Sequence, residues 1–344
     1  MLLSDIKLFS PEIILILGAI FILLYGIFFK KDKNSNKKIL YISLISLIAS
    51  LYCSIYVVDI GTNSFNNLLN NNLYTLFFKI LVFTGTIVII YISYEYLKDL
   101  SLITPEFFFL ILLSLVGILV LISSRNIISM YLGLELQSIC LYILASYRKY
   151  DIKSSEAGVK YFITGALSSG VLLYGLSIIY AFTNSTDFYE ISKSINLSLQ
   201  NNENFLIINI GFVLILCGLF FKIAVVPFHM WAPDVYEGSP TSITAFFTTI
   251  PKIGVIAFLI KFLNTTFESY SDAWFQILYL VSVISMILGS IAAVNQSNIK
   301  RLLAYSSISH MGFILIGILT ANHIGIKSVQ LYISIYMLNV LGIF

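Results

Sequence analysis

Long apolar stretches recur along the whole chain, separated by short polar segments. Each is about 18 residues or longer, which is enough to cross a hydrocarbon core of roughly 30 Å as a helix. Eleven such stretches lie near residues 11–29, 39–59, 74–95, 107–123, 126–147, 156–183, 205–229 (interrupted), 241–263, 273–294, 302–320 and 327–344. The pattern therefore predicts an all-α polytopic membrane protein with about eleven transmembrane helices.

The composition strengthens this prediction. Of 344 residues, 58% are hydrophobic and only 11% are charged, whereas soluble domains carry roughly 25% charged residues. The net charge of +3 is small and spread over the loops, which argues against a nucleic-acid partner. Cys53, Cys140 and Cys217 are scattered through apolar segments without CxxC spacing, so neither a metal centre nor a disulfide framework is predicted.

Lysines and arginines are distributed unevenly between alternate loops. One set of loops carries Lys30, Lys31, Lys33, Lys37, Lys38, Lys98, Arg148, Lys149, Lys153, Lys300 and Arg301, and the other carries Lys7, Arg125, Lys193, Lys261 and Lys327. The positive-inside rule places the first set in the cytoplasm or matrix, which predicts an N-terminus outside. The outer loop near 184–204 is too short to form a domain, so residues 1–344 are predicted to form a single membrane domain.

Pro11 and Glu12 stand at the start of the first apolar run, and no small-residue cleavage site follows it. These features differ from those of a cleaved signal peptide. The first helix is therefore predicted to be retained.

Glu135 and Lys222 fall where a bilayer tolerates charge poorly. A charge at the centre of a spanning helix costs about 2.5–3.5 kcal/mol on insertion scales, so it needs a partner, a water-filled cavity or a function. Glu135 lies near the middle of the fifth helix, and Lys222 lies within the interrupted seventh segment. Pro227 lacks an N–H, which predicts a break in that helix and carbonyl groups facing a cavity. The two residues are predicted to bind protons or, alternatively, to form a structural ion pair.

Lys252 and His310 add charge-bearing side chains to the eighth and tenth helices. Lys252 lies near the middle of "AFFTTIPKIGVIAFLIKF", and His310 follows Ser306, Ser307 and Ser309. Hydroxyl groups can hold water or relay protons, and histidine titrates near neutral pH. Both residues are therefore candidate proton carriers, although a lone intramembrane histidine can equally be a satisfied core residue.

Other charged residues are predicted to have ordinary structural roles. Glu156 and Lys160 have the i, i+4 spacing of a local salt bridge, and Asp234 and Glu237 are placed to cap the eighth helix. His229 is expected either to connect the cavity with water or to line an interface. Three lysines are expected to snorkel to the membrane surface from positions near helix ends, namely Lys79, Lys261 and Lys327.

Four segments together resemble the proton-translocating membrane module of respiratory complex I and related antiporters. They are "GLELQSICLYILASY", "SSEAGVKYFITGALSSGVLLYGLSIIYAFTNSTDF", "FKIAVVPFHMWAPDVYEGSPT" and "NIKRLLAYSSISHMGFILIG". Within that family the chain resembles the subunit N group of NADH-quinone oxidoreductases. The resemblance implies a fourteen-helix antiporter-like fold with inverted repeats and a broken helix seven. It divides the chain into an N-terminal three-helix segment (1–100), a first repeat (101–265) and an incomplete second repeat (266–344).

The resemblance also implies roles for the four buried residues. Glu135 would be the gating carboxylate, and Lys222 the protonatable lysine of broken helix seven. Lys252 would be a connecting lysine, and His310 a relay histidine.

Cofactors and partners are implied in the same way. NADH, FMN, iron–sulfur clusters and quinone would be bound by other subunits, with no cofactor or metal in this chain. The implied partners are the other membrane subunits of complex I, in a bacterial cell inner membrane or, alternatively, a mitochondrial inner membrane.

The sequence stops at Phe344, inside the eleventh predicted helix. The resemblance therefore implies that helices twelve to fourteen, with an exit-side lysine, do not occur in this sequence. Two other readings stay open. The first is a subunit of a multisubunit cation/proton antiporter or of a membrane-bound hydrogenase. The second is a non-pumping structural membrane subunit, whose buried charges would serve assembly.

Overall fold

Helices dominate the chain. The computed structural model describes residues 2–29, 35–58, 63–65, 68–201 and 205–344. The helices are α1 (Leu2–Leu8), α2 (Ser10–Phe28), α3 (Ser35–Val57), α4 (Leu73–Asp99), α5 (Pro105–Ser123), α6 (Ile127–Ala145), α7 (Ile152–Thr183), α8 (Phe188–Asn201), α9 (Phe205–Ile223), α10 (Trp231–Gly238), α11 (Thr241–Thr265), α12 (Ser271–Val294), α13 (Ile299–Leu319) and α14 (His323–Ile343). A short 3-10 helix spans Glu268–Tyr270, and strands β1 (Asn63–Ser64) and β2 (Leu69–Asn70) pair in antiparallel fashion.

Eleven of the described helices are long and apolar enough to cross a membrane, as the hydrophobic pattern predicted. They are α2 to α7, α9 and α11 to α14. Their alternation defines two membrane faces. We call the face at which α2 and α4 begin the N-terminal face, and the face at which α3 and α5 begin the opposite face.

Short polar side chains fix where several spans begin. Side-chain oxygens of the residue preceding the helix accept a backbone N–H of its first turn at Asn72 before α4, Asn126 before α6, Asp151 before α7, Asn298 before α13 and Asn322 before α14. Such caps satisfy backbone donors that have no partner inside the helix. They explain why the spans begin at these positions and not simply where the apolar run begins.

The helix α11 lies at the centre of the fold. The whole apolar stretch with which it can span a membrane is buried, and the helix packs against α4, α5, α9 and α14. An apolar helix that is buried on every side belongs to the core. This position puts Lys252 in the interior. By contrast, only 22% of the membrane-spanning stretch of α12 is buried, so α12 lies at the periphery.

Glycine permits a close contact between α5 and α6. A Cβ atom at Gly117 would lie 2.7 Å from the carbonyl oxygen of Gly133, so neither position has room for a side chain. Small residues let membrane helices approach at the backbone. The contact fixes α6, and with it Glu135, against the N-terminal half of the fold.

Candidate functional site

The seventh span is interrupted next to Lys222. α9 ends at Ile223, and Ala224 adopts a φ of 60°, in the left-handed region. A cis peptide bond joins Val226 to Pro227. Helical structure resumes only at α10, so the predicted break is present.

Side chains from other parts of the fold satisfy the backbone groups that the break exposes. Ser285 Oγ, on α12, accepts the Val226 N–H at 3.0 Å. Trp231 Nε1 donates to the Phe221 carbonyl oxygen at 3.0 Å. Buried backbone groups without partners are costly in a membrane interior. These two hydrogen bonds therefore stabilise the interruption.

Lys222 is buried in a ring of hydroxyl groups. Its Nζ donates to Ser138 Oγ at 2.7 Å, to Ser169 Oγ at 3.2 Å and to Tyr142 Oη at 3.5 Å. Nζ also lies 5.9 Å from the centre of the Tyr142 ring. The three oxygens match the three donors of an ammonium group. α6 and α7 thus solvate a charge carried by α9.

Glu135 lies on the same face of α6 as two of these partners. Ser138 and Tyr142 follow it by three and seven residues, which is one and two helical turns. Among the described residues, the hydrogen-bond partners of Lys222 are the hydroxyls and do not include Glu135. The carboxylate, which is only half-buried, sits one turn from the hydroxyl that holds the ammonium. The direct ion pair considered from the sequence is not formed in this arrangement.

Lys252 is enclosed on α11 with 1% of its surface exposed. Its Nζ donates to Ser307 Oγ, on α13, at 2.5 Å and lies 5.7 Å from the centre of the Tyr236 ring. A cation over an aromatic face is stabilised by the ring quadrupole. As with Lys222, no carboxylate among the described residues hydrogen-bonds this ammonium.

His310 is joined to α14. It lies one turn after Ser307 on α13, and its Nδ1 is 2.8 Å from Tyr332 Oη. Its ring centre lies 5.1 Å from that of Tyr336, whose hydroxyl donates to the Thr248 carbonyl oxygen. Lys252, Ser307 and His310 thus form one polar group between α11, α13 and α14.

A row of aromatic rings runs between the two lysines. Tyr142 meets Tyr161 edge-on at 4.8 Å, and Tyr161 stacks on Trp231 at 4.4 Å. Trp231 meets Tyr236 at 6.1 Å, and Tyr236 lies under Lys252. The row begins at a ring beside Lys222 and ends at a ring beside Lys252. α10, which carries two of the rings, therefore lies between the polar group around Lys222 and the polar group around Lys252.

Six charged side chains join three helices at the opposite face. Lys160 contacts Glu156 and Asp234 at 2.7 Å each, so the predicted Glu156–Lys160 salt bridge is present. The full cluster comprises Lys153, Glu156 and Lys160 on α7, Asp234 and Glu237 on α10, and Arg301 on α13. Positive and negative charges are equal in number within it. The cluster holds the short helix α10 between α7 and α13.

The helix cap predicted for Asp234 and Glu237 is wrong. α11 begins after Pro240 without a side-chain cap, because both carboxylates are used in the charged cluster. Lys153 contacts Glu237 at 3.0 Å, and Arg301 contacts it at 3.1 Å. These two hydrogen bonds lower the pKa of the Glu237 carboxyl.

The snorkelling predicted for Lys79 is also wrong. Its side chain is only 3% exposed and pairs with Glu12 at 3.0 Å. Lys261 is partly buried and donates to the Ser124 carbonyl oxygen, whereas Lys327 is exposed as expected. His229 is buried, and within the described parts of the chain its Nδ1 has no hydrogen-bond partner.

Named proteins are similar in sequence to this chain over nearly its whole length. The family described as "NADH:quinone oxidoreductase/Mrp antiporter, TM" matches residues 124–344. NADH-quinone oxidoreductase subunit N of Pelagibacter ubique is 43% identical over 341 residues, which cover 99% of this chain and 71% of that protein. The chain belongs to the subunit N family of NADH-quinone oxidoreductases. A second member, NADH-quinone oxidoreductase subunit N 1 of Rhizobium meliloti, is 40% identical over 344 residues, or 100% of this chain and 70% of that protein.

Solved structures show that this subunit N family member has the antiporter-like fold. A chain of respiratory complex I from Thermus thermophilus superposes with a TM-score of 0.76 at 28% identity, over 96% of this chain and 68% of that one. A chain of the Mrp complex from Dietzia sp. superposes with a TM-score of 0.80 over 99% of this chain and 63% of that one. Its 17% identity supports the fold alone.

Several residues at the subunit N site were not singled out from the sequence. Ser138 and Tyr142 could have been found, because they share a helical face with Glu135. Ser169 and Tyr332 gave no such signal, since each reaches its partner from a remote segment.

Proposed function

We propose that the chain is a proton-translocating membrane subunit of NADH-quinone oxidoreductase, or complex I, in which Glu135, Lys222, Lys252 and His310 carry the transferable charge. The observation that carries the proposal is the solvation of two buried lysines by hydroxyl groups and not by carboxylates, within the described residues. Family membership supplies the reaction to which this geometry is matched.

A hydroxyl partner suits a lysine that changes its charge. An ammonium group only donates hydrogen bonds, whereas a neutral amine can also accept one. A serine hydroxyl can accept from the first and donate to the second by rotating. Ser138 and Ser169 can thus serve Lys222 in both states, and Ser307 can serve Lys252. A carboxylate partner would favour the charged state alone.

Proton transfer then follows the arrangement of the two polar groups. The negative charge of Glu135 stabilises an ammonium at Lys222, and movement of charge away from Glu135 weakens that stabilisation. The proton then passes from Lys222 to Lys252. His310 receives it next, because its two ring nitrogens allow it to accept at one and donate at the other.

We propose that the energy comes from quinone reduction elsewhere in the complex. NADH, FMN, iron–sulfur clusters and quinone would be bound by other subunits, and the chain itself would bind protons and neighbouring membrane subunits. The three cysteines, scattered over three helices, give no clustered ligand set.

A bacterial inner membrane is the proposed location, with the N-terminus outside. The relatives named above are bacterial proteins. Arg148, Lys149, Lys153 and Arg301 all lie at the opposite face, where the positive-inside rule places the cytoplasm.

The test is the Lys222→Ala variant of the assembled complex in proteoliposomes. NADH oxidation, proton uptake and assembly would be measured together, with Lys149→Ala, at the membrane surface, as the matched control. We expect assembly to be normal and proton pumping to fall roughly tenfold or more, since a positioned proton carrier is lost. Normal pumping in an assembled Lys222→Ala complex would refute the proposal. Failed assembly without a specific transport defect would favour the structural subunit.

A further inference from the structure

A second buried polar cluster lies away from the proposed proton carriers, near the N-terminal face. It is formed where α2 and α4 begin and where α5 and α11 end. Glu12 is the third residue of α2, and Lys79 lies six residues into α4, roughly 9 Å along the helix at 1.5 Å per residue. Both side chains are almost fully buried, at 1% and 3% exposure.

The cluster is a connected set of hydrogen bonds. Lys79 Nζ donates to Glu12 Oε1 and to Asn71 Oδ1, at 3.0 Å each. Ser123 Oγ donates to the same Asn71 oxygen at 3.2 Å. Asn71 Nδ2 donates to the Leu8 carbonyl oxygen at 3.5 Å. Three segments distant in sequence, at residues 8–12, 71–79 and 123, therefore meet around one carboxylate and one amine.

One oxygen of the carboxylate is left over. Glu12 Oε2 is buried and has no hydrogen-bond partner within the described structure. An ionised carboxylate can accept hydrogen bonds at both oxygens, and here one of the two has no donor. Replacing a buried salt bridge with apolar side chains of similar volume is often neutral or stabilising, so holding α2 against α4 does not by itself require this pair. The open oxygen therefore leaves Glu12 with an unused acceptor at which a proton can bind.

We propose that Glu12 and Lys79 form a proton-binding site that exchanges protons with the water at the N-terminal face. An N–H bond of the Lys79 ammonium breaks, and its proton forms an O–H bond with Glu12. The charged pair becomes a neutral amine and a carboxylic acid, with no change of total charge. Release of that proton to water, and uptake of another by Lys79, completes the exchange.

Charged and polar groups from the neighbouring elements surround the site. On α11, Lys261 donates to the Ser124 carbonyl oxygen at 2.6 Å, next to Ser123, and its charge repels that of Lys79. Arg125 pairs with Asp187 at 3.7 Å.

The neighbouring helices contribute two more polar side chains. From α1, the Asp5 carboxylate accepts the Phe65 N–H at 3.0 Å. From α3, the uncharged Ser50 donates to the Pro11 carbonyl oxygen at 2.7 Å. Among these described groups, Glu12 is the carboxylate that forms an ion pair with Lys79.

The inference rests on the proposed function, and its test separates the two. Complexes carrying Glu12→Gln, Glu12→Asp, Ser50→Ala and Lys222→Ala would be compared in proteoliposomes. Ser50→Ala is the matched control, because it removes a buried hydrogen bond to the residue beside Glu12 but no titratable group. We expect Glu12→Gln to lower the pumping rate roughly tenfold, as for loss of a positioned proton acceptor. Glu12→Asp should retain pumping with a shifted pH profile, and Ser50→Ala should behave as the wild type.

Infrared difference spectra recorded during turnover provide the second readout. A protonated-carboxyl band should appear in the wild type and change frequency in Glu12→Asp. Because Glu12→Asp keeps the charge pair, this readout can be used even if the Glu12→Gln complex does not assemble. If no carboxyl band responds to Glu12→Asp, Glu12 does not change protonation and the inference is overturned. Unchanged pumping and pH profile in an assembled Glu12→Gln complex would overturn it equally. If Lys222→Ala loses pumping in the same series, the proposed function stands even where the inference about Glu12 is overturned.

Discussion

Hydroxyl groups decide how the two interior lysines are held. Ser138, Ser169 and Tyr142 surround Lys222, and Ser307 binds Lys252. A buried charge without partners is expensive. Neutral partners reduce that expense while leaving the amine free to change its protonation. The hydroxyls are thus as relevant to the site as the lysines.

Replacing Ser138 with Ala tests this role. The variant removes the partner at 2.7 Å, and a hydrogen bond to a charged group contributes about 1.5–3 kcal/mol. We expect proton pumping to fall several-fold and its pH profile to move, with assembly retained. Ser177→Ala is the control, since among the described residues its hydroxyl hydrogen-bonds only to the Tyr174 carbonyl oxygen of its own helix. Identical pH profiles for both variants and the wild type would contradict the prediction.

The charges at the site were predictable from the sequence, and most of their partners were not. Glu135 and Lys222 stood out because a bilayer penalises charge at the middle of a helix. Their proton-carrying roles stay predictions. Ser169 lies 53 residues from Lys222, and Ser307 lies 55 residues from Lys252. Helical periodicity relates positions within one helix and says nothing about which side chain arrives from another.

Lys79 shows the same limit from the opposite direction. Its position near a helix end predicted that it snorkels, because depth along a helix is readable from the sequence. Its partner Glu12 comes from 67 residues away. What lies beside a residue depends on tertiary packing, which the position along its own helix does not give.

Among the elements, α10 is held at its outer surface by charge. Its carboxylates Asp234 and Glu237 contact Lys160 and Arg301, which lie on α7 and α13. Each partly exposed pair contributes at most about 1 kcal/mol. The sequence predicted the break before α10, but not that its two acidic residues would bind neighbouring helices in place of capping α11.

The Glu237→Gln variant is expected to lose stability in a pH-dependent way. Hydrogen bonds from Lys153 and Arg301 lower the pKa of Glu237 in the folded protein, so its contribution is present above the unfolded pKa of about 4.3 and is lost as pH falls through the folded value. Melting curves of the purified complex should show the variant less stable by roughly 1 kcal/mol near neutral pH. The difference should close below about pH 4.

Lys149→Gln serves as the control for that measurement, because its side chain takes no part in the cluster. If the difference in stability between Glu237→Gln and the wild type stayed constant with pH, the effect of the substitution would not be ionic.

For the molecule as a whole, hydrophobic pattern was sufficient to count the membrane helices. All eleven predicted spans are present, and the predicted 107–123 corresponds to Pro105–Ser123. The seventh differs most, because its helix ends at Ile223 and not near 229. Apolar character persists through the break, so hydropathy alone cannot show where helical hydrogen bonding stops. The division at residues 100 and 265 stays a prediction.

The orientation in the membrane can be tested by labelling with a membrane-impermeant maleimide. In a background without Cys53, Cys140 and Cys217, we expect Lys149→Cys to react only from the cytoplasmic side, following the positive-inside rule. Ser185→Cys, beyond the other end of α7, should react only from the outside. The opposite labelling pattern would invert the orientation, and labelling of both from one side would contradict the span count.

The burial of α11 has a consequence for how this protein tolerates change. A helix with no lipid-facing side offers no direction in which an added methyl group can be accommodated, and overpacking a dense core costs typically 1–3 kcal/mol. In a saturation library, α11 should therefore accept few substitutions on any of its turns, whereas α12 should accept apolar exchanges along most of its surface. The permitted variation would itself trace the centre and rim of the fold, with Lys252 on its most invariant helix.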